Sequence, residues 1–311
     1  MSNKRSVSLF SALLIVVFHL WVPVFGKAGI EHFVKQTAYI GVDMFFFLSG
    51  LSLASRKIEN YGEFVCNRFL NVYGKFVLFA IVAAIYVHWK PILFLQVISG
   101  VNLFKRGGGA FLWFLPAIML LYLVYPAFQK MDTKNRGITA LTVTVIWVAG
   151  AVLWTKLGNK VPIAIFWNRI PIFFLGHFFA GWDKLWTDKR LKLSLGVLLS
   201  GIGTVLVYFF AYRQKLQFPV RDAFYLTVLP LSIGLVLLVS FVPENAWIKR
   251  LGKATLELYA LQMIFGFKLA NMLYMKTESA ILTNLLTFGI LLLGSVLLSC
   301  ISLWKVSVKK S

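Results

Sequence analysis

Apolar runs of about twenty residues recur from one end of this 311-residue chain to the other. Each run is long enough to carry a helix across a hydrocarbon layer about 30 Å thick. Backbone groups in such a layer have no water to bond, so the chain must satisfy them internally; continuous apolar runs of this length do so as helices. The composition agrees: 59% of residues are hydrophobic and only 14% are charged, with a mean hydropathy of +0.79, so lipid rather than water is the expected solvent. The reading is an all-α membrane protein, a bundle of about ten transmembrane helices. It forms one integral-membrane domain over residues 1–311, multi-pass in a cell membrane, plasma or inner.

The expected spans are residues 8–26, 36–55, 73–89, 110–129, 137–155, 161–182, 193–212, 219–242, 254–274 and 280–304. The apolar stretch from Pro91 to Phe104 is too short to cross and is expected to lie at the interface or to re-enter. Lys4 and Arg5 precede the first run without a small-residue cleavage site after it, so that run reads as a retained helix.

A formal charge of +21 would suggest a nucleic-acid partner in a soluble protein. Here the Lys and Arg residues sit at the ends of apolar runs, which is the pattern of membrane orientation, so no nucleic acid is expected. With the N-terminus inside, 18 of the 32 basic residues fall on the cytoplasmic side and 12 outside, leaving Lys75 and Arg169 within spans. This bias places both termini in the cytoplasm. Cys66 and Cys300 then lie near cytoplasmic helix ends, where no disulfide is expected. No His, Cys or carboxylate cluster has metal-ligand spacing.

An ionisable side chain within a span costs several kcal/mol unless it is paired or faces water. His19, Asp43, Arg169 and Glu257 are therefore the leading candidates for function. The spans put His19 about seven residues, roughly 10 Å, below the outer end of the first helix. Asp43 is equally deep in the second. Arg169 enters from the outer end of the sixth, Trp113 starts the fourth, and Glu257 lies near the inner end of the ninth. His19, Asp43, Arg169 and Trp113 are thus expected to line one outward-leaning cavity, with His19 as a base, Asp43 orienting it and Arg169 supplying a cation for an oxyanion. The competing reading is structural, since a buried Asp–Arg or His–Asp pair can simply hold helices together. His177, amid Phe173, Phe174, Phe178 and Phe179, reads as a hydrogen-bonded core residue. His32 and His88 sit near the outer interface, and Gly107, Gly108 and Gly109 read as a flexible outer turn.

Six segments, in order, resemble the acyltransferase 3 family of membrane acyltransferases that modify cell-surface carbohydrates. They are FSALLIVVFHL (Phe10 to Leu20), GVDMFFFLSG (Gly41 to Gly50), RFLNVY (Arg68 to Tyr73), LWFLPAIMLLYLVYP (Leu112 to Pro126), RIPIFFLG (Arg169 to Gly176) and LGKATLELYALQ (Leu251 to Gln262). The resemblance makes His19 the family's first-helix histidine. It also notes departures: Ser8 stands where the family has an arginine eleven positions before that histidine, with Arg5 nearly one turn away. Asn71 replaces a second arginine beside Arg68, and Gln262 occupies a position often held by histidine.

The resemblance implies an O-acyltransferase that moves an acyl group, acetyl above others, from acetyl-CoA or another acyl-CoA to a carbohydrate hydroxyl on a polysaccharide or lipid-linked glycan. Arg68 would attract the donor's phosphates, and Trp113, Glu257 and Gln262 would contact substrate. No permanently bound cofactor is expected. Two other readings stay open: a transporter or flippase for a sugar or glycolipid, and an inactive relative with a structural role, to which Ser8 and Asn71 point.

Overall fold

The computed structural model describes residues 3–24, 30–156, 162–213 and 227–301. Among these there is helix and connecting turn but no strand. Lys27, Lys160, Lys215, Arg221, Lys305, Lys309 and Lys310, used in the charge count, lie outside the described residues. So does the beginning of the expected span at 219–242. Cys66 and Cys300 are both free thiols.

Among the described residues six stretches are long and apolar enough to cross a membrane: Phe33–Ala54, Tyr61–Val87, Phe114–Asp132, Arg136–Trp154, Lys189–Phe210 and Ala280–Cys300. Their surfaces fit that solvent. Leu141 and Leu293 are 64% and 68% exposed, an arrangement that would drive aggregation in water. The other four expected spans meet shorter or more polar helices. Residues 8–26 correspond to a helix of 15 residues, and residues 161–182 to one of 17 residues, Ala164–Ala180, interrupted by a turn. Within residues 219–242 the described helix is Leu229–Val239. The ninth is long, Thr255–Thr277, but Glu257, Gln262, Lys268 and Lys276 lower its apolarity.

The chain divides into two compact units, one comprising the described residues up to Leu51 together with Gly176–Ile301, the other Ser52–Leu175. The first unit is built on α1 (Lys4–Phe18), α2 (Ile30–Ala38) and the start of α3 (Ile40–Ala54). Helix α1 is pinned at its start by Asn3 Nδ2 and Ser6 Oγ, which donate to the carbonyls of Ser240 and Val242. It is shorter than the apolar run that encodes it. Past Phe18 the chain turns toward Pro23, and the freed backbone groups find partners elsewhere. The amides of Trp21 and Val22 both donate to Asn284 Oδ1 at 3.2 Å, while Asn284 Nδ2 donates back to Val22 O at 2.7 Å. Lys35 Nζ donates to Leu20 O at 2.9 Å, and the Val24 amide to Glu31 Oε2. Trp21 itself is buried with Ala12, Val16, Leu258, Ala270 and Leu291.

In the second unit α4 (Tyr61–Arg68) runs through a π-helical turn at Phe69–Tyr73 into α5 (Gly74–Val87). Asn60 caps the N-terminus of α4 by accepting from the Glu63 amide, the usual role of such a residue. The Pro91 to Phe104 stretch forms α6 (Pro91–Ile98) and enters α7 (Val101–Arg106), neither long enough to span. Gly107 to Gly109 make the expected turn, as a short 3-10 helix. Gly107 is buried with φ +52, and a Cβ there would meet Pro162 O at 2.1 Å, so only glycine fits. The antiparallel pair α8 (Phe114–Asp132) and α9 (Arg136–Lys156) follows, then α10 (Ala164–Trp167) and α11 (Ile170–Ala180), which ends in the first unit.

Asn284→Leu leaves three backbone groups, one buried and two part-buried, without their partner. At about 1–3 kcal/mol for an unsatisfied buried group, the purified variant is expected to melt several degrees below the parent. An unchanged melting temperature would show that these groups have other partners.

Candidate active site

His19 is the first residue past α1, its backbone amide still donating to Ile15 O. The ring folds back along the helix, with Nδ1 2.9 Å from the same carbonyl. A carbonyl oxygen only accepts, so Nδ1 carries the hydrogen, and in neutral imidazole the lone pair is then on Nε2. Nε2 is then the ring nitrogen able to accept a proton. The expectation that His19 lies inside a helix reaching residue 26 is corrected: it stands at a helix end, where the Asn284 and Lys35 contacts fix the chain leaving it. Phe18, beside it, meets Tyr39 edge to face at 5.1 Å.

Asp43 is 1% exposed in the first turn of α3, where the helix dipole favours a carboxylate. Gly41 sets the position of this turn. A Cβ at Gly41 would lie 2.3 Å from Ser11 O and 3.0 Å from the Ile15 side chain, so α3 approaches the backbone of α1 itself. The His19 ring and the Asp43 turn are thereby both attached to the stretch of α1 around Ile15.

Elsewhere in this unit the short α12 (Asp183–Thr187) precedes α13 (Lys189–Val207), which packs most extensively against α14 (Leu229–Val239). The short α15 (Ala246–Lys253) leads into α16 (Thr255–Thr277), which packs on α17 (Ala280–Cys300). Glu257 and Gln262 are both buried on α16, at 3% and 2% exposure, Glu257 in its first turn. Arg5 Nη1 donates to Gly252 O and its amide to Glu244 Oε1. The structure thus uses Arg5 to hold α1 onto the connection before α16. Ser8 Oγ donates within its own helix, to Lys4 O. His177 is buried at 7% exposure, edge-on to Phe178.

The second unit holds Arg68, Trp113 and Arg169. Arg169 is wholly buried, and its guanidinium lies 5.6 Å from the centre of the Trp113 ring. The expected sixth span is broken here: residues 168–169 form a turn between α10 and α11, with Arg169 Nη1 donating back to Ile165 O at 2.9 Å. Trp113, 6% exposed, directly precedes α8. Leu112 before it is fully buried at φ +45. A leucine held in that left-handed region costs on the order of 1–2 kcal/mol, strain stored beside the tryptophan–arginine pair. Arg68 lies 5.3 Å from the Phe64 ring and 5.0 Å from that of Tyr122, one residue before the π-helical turn. Such turns often mark functional positions.

The sequence reading counted Lys35 only as an outer-loop charge and gave Asn284 no role. In the structure Lys35 bonds Leu20 O, next to His19, and Asn284 closes the backbone of Trp21 and Val22.

The fold and these buried ionisable groups define an all-α membrane protein with polar side chains held among apolar helices. The acyltransferase-domain profile of the acyltransferase 3 family matches residues 9–304, nearly the whole chain. The protein belongs to that family and is a membrane acyltransferase by membership. No curated protein and no solved structure matches the chain.

Trp113→Ala removes the ring beside a buried guanidinium, an interaction worth about 1–2 kcal/mol when desolvated. The variant should melt lower than Trp113→Phe, which keeps an aromatic face; equal melting of the two would rule out a cation–π contribution. Gly41→Ala is expected to be destabilising by about 1–3 kcal/mol from overpacking. Gly201→Ala, where nothing lies within 4 Å, should match or exceed the parent.

Proposed function

We propose that the protein is a membrane-bound O-acyltransferase that moves an acyl group, acetyl above others, from a cytoplasmic acyl-CoA to a hydroxyl of an exported or cell-surface carbohydrate. The observation that carries this reading is the His19 ring, whose Nδ1 is tied to Ile15 O so that Nε2 is the basic nitrogen. His19 Nε2 takes the acceptor's hydroxyl proton as its oxygen bonds to the thioester carbon. The C–S bond then breaks, and the leaving thiolate takes the proton from the imidazolium. Asp43 favours the imidazolium that forms transiently.

Arg169, braced on Trp113, is assigned the negative charge that develops on the acyl oxygen, a task worth a few kcal/mol in a dry site. Arg68 attracts the donor's phosphates. Glu257 and Gln262 are assigned substrate contacts, both being buried polar groups on α16. A membrane-embedded catalyst suits a reaction whose donor is made inside the cell and whose acceptor lies outside. Family membership favours group transfer over transport.

The test is the acetyl content of surface carbohydrate in cells carrying the intact gene, a deletion, and the deletion complemented with His19→Ala. Acetyl should fall on deletion and stay low with a stably produced His19→Ala protein. Full restoration by that variant would remove His19 from the chemistry, and unchanged acetylation in every strain would point to another acyl group or to transport.

A further inference from the structure

Where α3 ends, the chain crosses to α4 past the last turns of α8 and lines a half-open cavity of about 730 Å³. All of it belongs to the second unit. Its wall is fixed by Gln129, whose Nε2 donates to Arg56 O at 2.6 Å while its Oε1 accepts from the Ile58 amide at 3.0 Å. Tyr61 Oη donates to Leu123 O at 3.3 Å, tying α4 to α8.

Arg56, Lys57 and Lys130 line the space and Glu59 is the single carboxylate there, so the lining carries an excess of positive charge. The charge distribution along the chain assigns this end to the cytoplasm. Orientation alone would explain cations at a helix end. It does not explain a cavity of ligand size, nor a side-chain amide spent on holding the connection that carries two of them.

We propose that this cavity binds the phosphates of the acyl-CoA donor, with Arg56, Lys57 and Lys130 as their ligands and the exposed ring of Tyr61 available to the adenine. The proposal rests on the reading of acyl-CoA as donor. Charge-assisted bonds to phosphate are among the stronger polar contacts, and one guanidinium and two ammonium groups lining one cavity suit a ligand with several phosphates spaced along it. Arg68 lies further along α4, its guanidinium over Phe64 and Tyr122, so its part is to draw the donor toward this end as a local charge, while the three cations of the cavity are the direct phosphate ligands. An acyl-CoA whose nucleotide sat in this cavity would then extend its pantetheine arm away from it. An anionic lipid headgroup offers the same phosphate chemistry, so the test separates the two.

The full-length protein and the Arg56→Gln/Lys130→Gln double variant are purified, and binding of CoA and of adenosine 3′,5′-bisphosphate is measured in neutral detergent and in phosphatidylcholine vesicles with and without phosphatidylglycerol. Both substituted side chains are exposed, so the variant should fold as the parent does. The expected result is a loss of at least about tenfold in affinity for CoA, a similar loss for the bisphosphate, and little dependence on phosphatidylglycerol. A second variant, Tyr61→Ala, should weaken the bisphosphate as well. Equal CoA affinity in parent and double variant overturns the cavity assignment and leaves the donor reading standing. A parent that binds no CoA under any condition overturns the donor reading itself. A variant that keeps its CoA affinity but loses a phosphatidylglycerol dependence seen in the parent makes the cavity a lipid-headgroup site, which also overturns the proposal.

Discussion

A helix that ends inside an apolar bundle leaves amides and carbonyls with no water to bond, and each such group costs about 1–3 kcal/mol if it stays unmet. In this protein that constraint bears on where two of the polar side chains stand, His19 and Arg169. Helix α1 stops at Phe18, and its continuation survives only because Asn284 takes the Trp21 and Val22 amides and Lys35 takes the Leu20 carbonyl. His19 is held at that end, its ring bonded to Ile15 O in the last turn of the helix it leaves. At the turn between α10 and α11 Arg169 is buried, and part of its hydrogen-bonding capacity goes to a backbone carbonyl there. The irregular backbone and the ionisable side chains support one another; neither would be tolerated alone at such depth.

Much of the architecture was legible in the sequence because lipid imposes a crude and strong pattern. Six expected spans meet helices long and apolar enough to cross, and the short Pro91 to Phe104 stretch forms helices too short to do so. Trp113 and Arg169, expected to line one cavity together with His19 and Asp43, are in contact with each other. His19 and Asp43 belong to one unit, and both are attached to the same stretch of α1 through Ile15 O and Gly41.

What the sequence did not convey has a common cause. The apolar run after Phe18 continues to Phe25, so hydropathy extends the first helix to residue 26. The actual end depends on Asn284, more than 260 positions away, and no local signal reports such a partner. The turn at residues 168–169 is hidden in the same way, because its flanks remain apolar. The π-helical turn at Phe69–Tyr73 adds one residue to a helical ladder without changing its composition. Ser8 and Asn71 were read as departures from a family pattern; in the structure each side chain donates to a carbonyl four residues earlier, which satisfies a polar group on an apolar helix.

The central claim is that this chain transfers an acyl group and that His19 moves the proton. The most direct measurement uses purified protein in proteoliposomes with isotopically labelled acetyl-CoA on the Arg68 side and a carbohydrate acceptor on the other, following free thiol and labelled carbohydrate together. The account predicts that thiol and labelled ester appear in equal amounts with the parent protein, and that both fall at least a hundredfold with His19→Ala, the scale of a lost general base. Transfer by His19→Ala at the parent rate, or movement of carbohydrate across the membrane with the thioester intact, would contradict it.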